Sequence, residues 1–462
     1  MNIQCKIKKS NAPLEKKMEW ILVIISSSLL GIWAVKNTIA LRNVLLVAGT
    51  LLSIYYIFKV WKIEKFEERC TIWSVLPIIF VASIFIWVIG HYLFFSIDQV
   101  GQLKELKSTW LRAFMAFILG LATGLALRNN PNRLSLLWVG IFVDFLIIFF
   151  QYSQQSWLQE TFIKPTYDNY IFHLKINVVL MGSLLIAGIT GGLLDQLRTT
   201  HFHWRKISHW YLLYWAFGML IILWTYIFIF DTRNGMAVLT ILYIFWLVII
   251  LIFLVRNEWR KPNLKKMLPH LLVLGITLYL FLHFAYLQTT INKGWQNIKE
   301  DAEIAIQVHR YPNWQNLDEL GYPNRSDGTK VTHNTYERIA WATVGSNFII
   351  KYPLGAGMLS RPISLLTQGN LKFATHSGWV ELGLAFGVPM LGLIFTALGI
   401  TLINAARKSY PARMSVMGLI VFIFCFYLIG EATIQHGLEI LFFLLALLPA
   451  LLLTNLKNIK HT

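Results

Sequence analysis

Apolar residues run along this chain in long, nearly unbroken stretches, not at the alternating spacing of a half-buried strand. A helix crosses a bilayer in about 20 mostly apolar residues. Twelve stretches approach that length: Trp20–Val35, Ile39–Phe58, Ile72–Gly90, Trp110–Leu127, Leu134–Phe150, Ile176–Leu194, Trp210–Phe230, Met236–Val255, Leu268–Leu287, Gly378–Ile403, Met414–Ile429 and Leu438–Leu453. They predict an all-α integral membrane protein of about twelve transmembrane helices. Trp20–Val35 follows a basic stretch, as the apolar part of a secretory leader does. No small-residue cleavage site stands out and further spans follow, so a retained anchor is expected.

Between the ninth and tenth stretches lies a different kind of segment. The 88 residues Gln288–Thr375 are polar and carry their own local pattern. Trp295–Arg310 places Ile298, Ala302, Ala305 and Ile306 on one helical stripe. Tyr311–Asp327 is turn-rich, with Pro312, Gly321 and Pro323, and Tyr336–Ile350 reads as a second amphipathic helix ended by Pro353, Gly355 and Gly357. The chain thus divides into spans one to nine (1–287), one large, partly helical loop (288–375) and spans ten to twelve (376–462).

Composition agrees with this division. Hydrophobic residues make up 56% of the 462 and charged residues only 14%, against roughly 25% in soluble domains. A soluble globule, a disordered chain and a fibre are excluded. Three Cys are too few and too scattered for a disulfide framework or a zinc site. The net charge of +18 invites a nucleic-acid reading, but the distribution of the charge gives it another origin. With the N-terminus in the cytoplasm, 24 Lys and Arg fall inside and 17 outside, nine of these in the long loop. Cytoplasmic segments are the ones enriched in Lys and Arg. Both termini are therefore expected inside, the long loop on the periplasmic side, and no nucleic acid as partner.

Candidate chemistry gathers on the outer face. Within the spans, Asp144, Asp195, His270 and His283 form no relay, and a structural role near helix ends suits each. Arg233 lies in Asp231-Thr232-Arg233-Asn234-Gly235, where span seven leaves the membrane and span eight enters. It can snorkel to the interface or present a guanidinium fork to an anion. Arg338 opens the second loop helix. His376-Ser377 leads into span ten, and its imidazole can cap the helix or act as a base, since histidine titrates close to neutrality. Other candidates for contact with a substrate are Lys351, Arg361, Arg310, Ser377 and Glu381; the last, a little over one turn beyond His376, can orient the imidazole or stand as a helix-end carboxylate without that role. No phosphate-binding Gly-rich loop, HExxH, CxxC or Asp-x-Asp pair is present.

The order of these features resembles the O-antigen ligase and polymerase superfamily: Arg at a span start, Arg on a loop helix, Pro-x-Gly-x-Gly at 353–357, then His-Ser at the next span's mouth. The family pattern is His, then Asn, Ser or Gln, nine residues, then Gly-x-x-Gly. His376, Ser377 and Gly387 match it; Met390 replaces the second glycine, and Gly392 follows two residues later. The resemblance is carried by Thr335–Gly392 and extends to Arg233.

It implies a metal-independent, inverting, membrane-embedded glycosyltransferase without a cofactor, in the inner membrane of a bacterium, contributing to lipopolysaccharide biosynthesis. The donor would be a glycan on undecaprenyl diphosphate, the acceptor a sugar hydroxyl of the lipid A core, and membrane lipids the surroundings. In that reading Arg233 and Arg338 bind the diphosphate and His376 is the general base. An O-antigen polymerase and a protein O-oligosaccharyltransferase are the alternatives within the superfamily. Polymerases carry Arg-x10-Gly in two outer loops; here that spacing occurs once among the candidates, from Arg310 to Gly321, and only one sizeable outer loop is evident. The ligase branch is therefore favoured. A transporter fits the span number but not the absence of an inverted repeat or the elaborate loop.

Overall fold

The structure is a computed structural model that describes residues 13–64, 72–128, 130–158, 170–172, 174–199, 208–258, 264–407, 410–434 and 436–453. Cys5, Cys70 and the side chain of His270 lie outside what it describes. The described residues are mostly helical, with no strand beyond two isolated bridges.

Fourteen helices matter here: α1 Pro13–Ile32, α2 Ile39–Glu64, α3 Ile72–Phe94, α4 Gln99–Leu127, α5 Val139–Leu158, α6 Lys175–Thr199, α7 His209–Ile229, α8 Arg233–Glu258, α9 Leu264–Ile291, α10 Ile298–Ile306, α11 His333–Lys351, α12 Gly378–Arg407, α13 Arg413–Ile429 and α14 Gly437–Leu451. Each of the twelve apolar stretches falls on one of them. Among the described residues seven helices are long and apolar enough to cross a membrane: α2, α3, α4, α6, α7, α8 and α12.

The bundle is organised around α14, which is buried along its whole length, as befits a helix apolar on every face. Its closest partner is α4. A Cβ on Gly120 would stand 2.2 Å from the Phe443 carbonyl oxygen, and one on Gly124 2.6 Å from the Ala450 Cβ. Small residues one turn apart let two membrane helices meet backbone to backbone. The α4 helix starts eleven residues before the apolar stretch at Trp110, because the Asp98 carboxylate caps it by accepting from the Gly101 amide at 2.9 Å.

The outer segment has its own core. Ile304 and Ala305 of α10 pack against Tyr336, Ala340 and Val344 of α11, with Val308 and Val331 closing the cluster. Beside it the buried Asp301 carboxylate accepts from Arg325 Nε at 2.7 Å and Nη2 at 3.1 Å, and from the Thr332 amide at 3.1 Å. Burial works against this carboxylate, yet the guanidinium fork and Thr332 hold it below the usual carboxylate range.

The stretch Gly378–Ile403 is not one straight rod. Gly387 adopts φ 72° and ψ −170°, a conformation open essentially to glycine alone. Sixteen residues of straight helix span about 24 Å, yet the Trp379 and Phe395 rings lie 5.1 Å apart. The two halves of α12 therefore fold against each other at Gly387. Residues 388–407 are by themselves as long as a bilayer crossing. Residues 378–386 join the outer segment, where Val380 and Leu384 pack with Ala356, Ile363 and Leu366. The break exposes main-chain groups, and the Gly-rich loop satisfies them. The Ala356 amide donates to Leu384 O at 2.9 Å, the Gly357 amide to Ala385 O at 2.7 Å, and the Val388 amide to Pro353 O at 2.8 Å.

These contacts separate the two glycines near the family motif. A Cβ on Gly387 would stand 2.1 Å from Pro353 O, whereas a Cβ on Gly392 meets nothing within 4 Å. Gly387→Ala is expected to cost at least about 1–3 kcal/mol in backbone strain alone, seen as a lower yield of folded protein and a lower Tm in detergent. Gly392→Ala should leave both unchanged; equal behaviour of the two variants would refute this account of the kink.

Candidate functional site

Three parts of the chain meet at the end of the bundle that carries the segment 288–375. The first is the turn between α7 and α8. A π-helical turn, Thr225–Ile229, ends α7, the Thr232 amide donates back to Tyr226 O at 2.8 Å, and Asp231 stands at φ 47°. This left-handed residue is held from outside: its carboxylate accepts from Gln288 Nε2 at 2.8 Å and Asn292 Nδ2 at 2.9 Å at the end of α9. Arg233 follows as the first residue of α8. Its Nη1 donates to Gly294 O at 2.7 Å and Thr335 Oγ1 at 3.2 Å. A Cβ at position 294 would stand 2.4 Å from that Nη1, so a side chain there would displace the guanidinium.

The second part is α11. Arg338, in its second turn, donates from Nη1 to Ile429 O at 3.0 Å, the last carbonyl of α13. Burial pushes this guanidinium below its ordinary value, and the Glu431 charge opposes the push. One turn further on, Trp341 lies flat against the imidazole of His376, ring centres 5.7 Å apart.

The third part is the entry to α12. His376 has φ 52°, a strained backbone for a residue with a Cβ. Strain of this kind persists only where the surroundings over-determine it. Here Gly378 N donates to Gly430 O at 2.7 Å, and the buried Ser377 hydroxyl donates to Tyr427 O at 3.4 Å. The imidazole Nδ1 bonds the Glu431 carboxylate. The His376 bond, opposed by burial and aided by the Arg338 charge, keeps Glu431 below the usual carboxylate range. An ionised carboxylate only accepts, so the proton of the neutral ring sits on Nδ1. Nε2 then carries the lone pair, and among the described residues it has no hydrogen-bond partner.

Arg233, Arg338, His376 and Ser377 line one cavity of about 1020 Å³, together with Lys175, Thr232, Asn234 and Thr335. Its walls descend along apolar residues one turn into the bundle, Val179, Ala237 and Leu428 among them. The other candidates stand elsewhere. Glu381 does not orient His376: its Oε2 accepts from the Ala432 and Thr433 amides at 2.8 and 3.2 Å, fixing the turn that presents Glu431. Arg361 pairs with Asp98 at 2.6 Å, which ties the loop to the start of α4. Arg310 lies over the Tyr311 ring and Lys351 over the Tyr352 ring, both exposed. None of these three lines the cavity.

Two residues carry no role in the sequence reading. Glu431 sits 55 positions beyond the histidine it orients, in a turn with no pattern of its own. Lys175 opens α6 as Arg233 opens α8, so the reasoning that singled out Arg233 applies to it equally.

A charge-assisted hydrogen bond is worth about 1.5–3 kcal/mol, enough to hold one imidazole tautomer at 10:1 or better. Nitrogen-15 NMR of the protein with labelled histidine is therefore expected to show His376 protonated on Nδ1 when neutral. Glu431→Gln should give a mixture of tautomers. A mixture already present in the unsubstituted protein would refute the orientation.

Compared with models of known protein families and with curated proteins, the chain matches none, so what it does has to be reasoned from the cavity.

Proposed function

We propose that the chain is an O-antigen ligase-type glycosyltransferase. It moves a glycan from undecaprenyl diphosphate to a sugar hydroxyl of the lipid A core at the periplasmic face of a bacterial inner membrane. Twelve spans, both ends in the cytoplasm and a periplasmic segment 288–375 belong to this reading, supported by the distribution of Lys and Arg along the sequence. The observation that carries it is the convergence of Arg233, Arg338 and His376 on one cavity, from the start of one helix, the second turn of another and the entry to a third.

The chemistry follows from those groups. A lipid diphosphate leaves with growing negative charge and needs no proton to depart. The guanidinium groups of Arg233 and Arg338 face it with fork-shaped donors suited to phosphate oxygens. Such preorganised donors stabilise charge as it develops. The acceptor hydroxyl is a weak nucleophile. Nε2 of His376, turned free by the Nδ1 bond to Glu431, takes its proton as the oxygen attacks the anomeric carbon, and direct displacement inverts that carbon. Trp341 stacked on the imidazole limits its rotation. The apolar wall below the cations suits the first isoprene units of the lipid. Arg310, the one candidate arginine with the polymerase spacing, stands outside the cavity, so the ligase branch keeps its preference.

His376→Ala in a lipopolysaccharide-producing strain that depends on this protein should remove the ladder of glycan-bearing lipopolysaccharide on a gel, while lipid-linked glycan accumulates. Loss of a general base lowers turnover by roughly 10²–10⁴-fold. An intact ladder would sink the catalytic role of His376. Activity of the purified protein is also expected to persist in excess chelator, because guanidinium groups hold the leaving group; abolition by chelator and recovery with magnesium would contradict the role given to Arg233 and Arg338.

A further inference from the structure

The cations of the cavity share one property. Arg233 is held by a carbonyl and a hydroxyl, Arg338 by a carbonyl, and Lys175 donates from Nζ to the main-chain carbonyl of Asp231. Among the described residues none of the three is within ion-pair distance of a carboxylate. Elsewhere in the chain Arg112, Arg133, Arg325 and Arg361 each pair with one. Neutral acceptors fix the positions of three charges, and the carboxylates of Asp231 and Glu431 act on them only from beyond ion-pair distance. The carboxylate beside Lys175, that of Asp231, is turned away onto the amides of Gln288 and Asn292. Gathering three like charges in one cavity costs free energy that an entering anion relieves.

The helix starts add to the same preference. Thr232 and Arg233 begin α8 and Lys175 begins α6, so two long helices turn their N-terminal ends to the same space. Such ends favour negative charge.

We infer that Lys175 is a third phosphate-binding cation, and that it sets the preference of the cavity for a diphosphate over a monophosphate lipid. This rests on the glycosyltransferase reading above and extends it. In a lipid-linked sugar diphosphate each phosphorus carries a negative charge, and release of the sugar adds another. Arg338 stands beside the His376–Glu431 pair, where the phosphate next to the sugar must lie. Lys175, bonded to the Asp231 carbonyl, and Arg233, bonded to Gly294 and Thr335, take the phosphate next to the lipid. A monophosphate carrier leaves that second position empty, so the Lys175 charge discriminates between the two.

The test uses the purified full chain in detergent and two short lipid probes, farnesyl diphosphate and farnesyl monophosphate, with binding measured by calorimetry. The unsubstituted protein should prefer the diphosphate. Lys175→Gln keeps a donor for the Asp231 carbonyl and removes the charge; it should weaken diphosphate binding on the order of 10- to 100-fold and leave monophosphate binding nearly unchanged. Lys175→Arg should recover most of the loss, and an unchanged Tm separates a lost charge from a lost fold. If Lys175→Gln misfolds, the comparison of Lys175→Arg and Lys175→Met at matched Tm serves the same purpose. Diphosphate binding unchanged by loss of the charge, or equal loss for both probes, overturns the role of Lys175 alone. Failure of the unsubstituted protein to bind either probe overturns that role and the glycosyltransferase reading together.

Discussion

A main-chain amide or carbonyl in an apolar setting has to find a partner, and the break in α12 is where that demand shapes this molecule. At Gly387 the helix gives up its own hydrogen-bond ladder. The loop 353–357 supplies the missing partners on both sides of the break. That exchange welds the outer segment to the bundle and sets where the half-helix 378–386 begins. The position of His376 follows from it, and so does the turn at Gly430–Thr433, which bonds to Gly378 and Glu381 and carries Glu431. Thr335 and Arg338 come with the same outer segment, so the reach of Arg233 across to Thr335 and of Arg338 across to Ile429 depends on the same weld.

The cavity separates charge by giving its groups different kinds of partner. Imidazole receives a carboxylate, which fixes a tautomer; guanidinium and ammonium receive carbonyls and hydroxyls, which fix only position. Burial of a charge is tolerable when its hydrogen bonds are met, and its field is then left for whatever enters. The contrast with Arg325 and Asp301 is instructive. There fork and carboxylate satisfy one another, and the pair fastens the loop core with no charge to spare.

Long apolar runs announce themselves because a bilayer demands the same composition over some twenty residues, and every one of the twelve stretches lies on a helix. The loop helices were legible for the same reason of periodicity: Ile298–Ile306 and His333–Lys351 stand within a few residues of the expected ones. Arg233, Arg338 and His376 could be picked out because an ionisable group beside an apolar run has few reasons to be there. The fold-back of α12 could not be read. A glycine inside a span looks the same whether it packs loosely, as Gly392 does, or reverses the chain, as Gly387 does; only the contact with Pro353 tells them apart. Glu431 was invisible because its partner is 55 residues away, and Glu381, at helical spacing from His376, drew attention to the wrong carboxylate. Arg310, Lys351 and Arg361 were solvent-side cations whose partners, two rings and one aspartate, no local pattern specifies.

The reversal at Gly387 has a mechanical side. The imidazole stands at the mouth of a short helix clamped between protein elements, while the stretch 388–407 beyond the bend is apolar and long enough to cross a bilayer. Val388, at the start of that stretch, is tied to Pro353 O, and Phe395 packs on Trp379, so the two arms of the hairpin are held to each other and to the loop. The placing of His376 therefore rests on contacts within the protein, whatever surrounds the apolar arm.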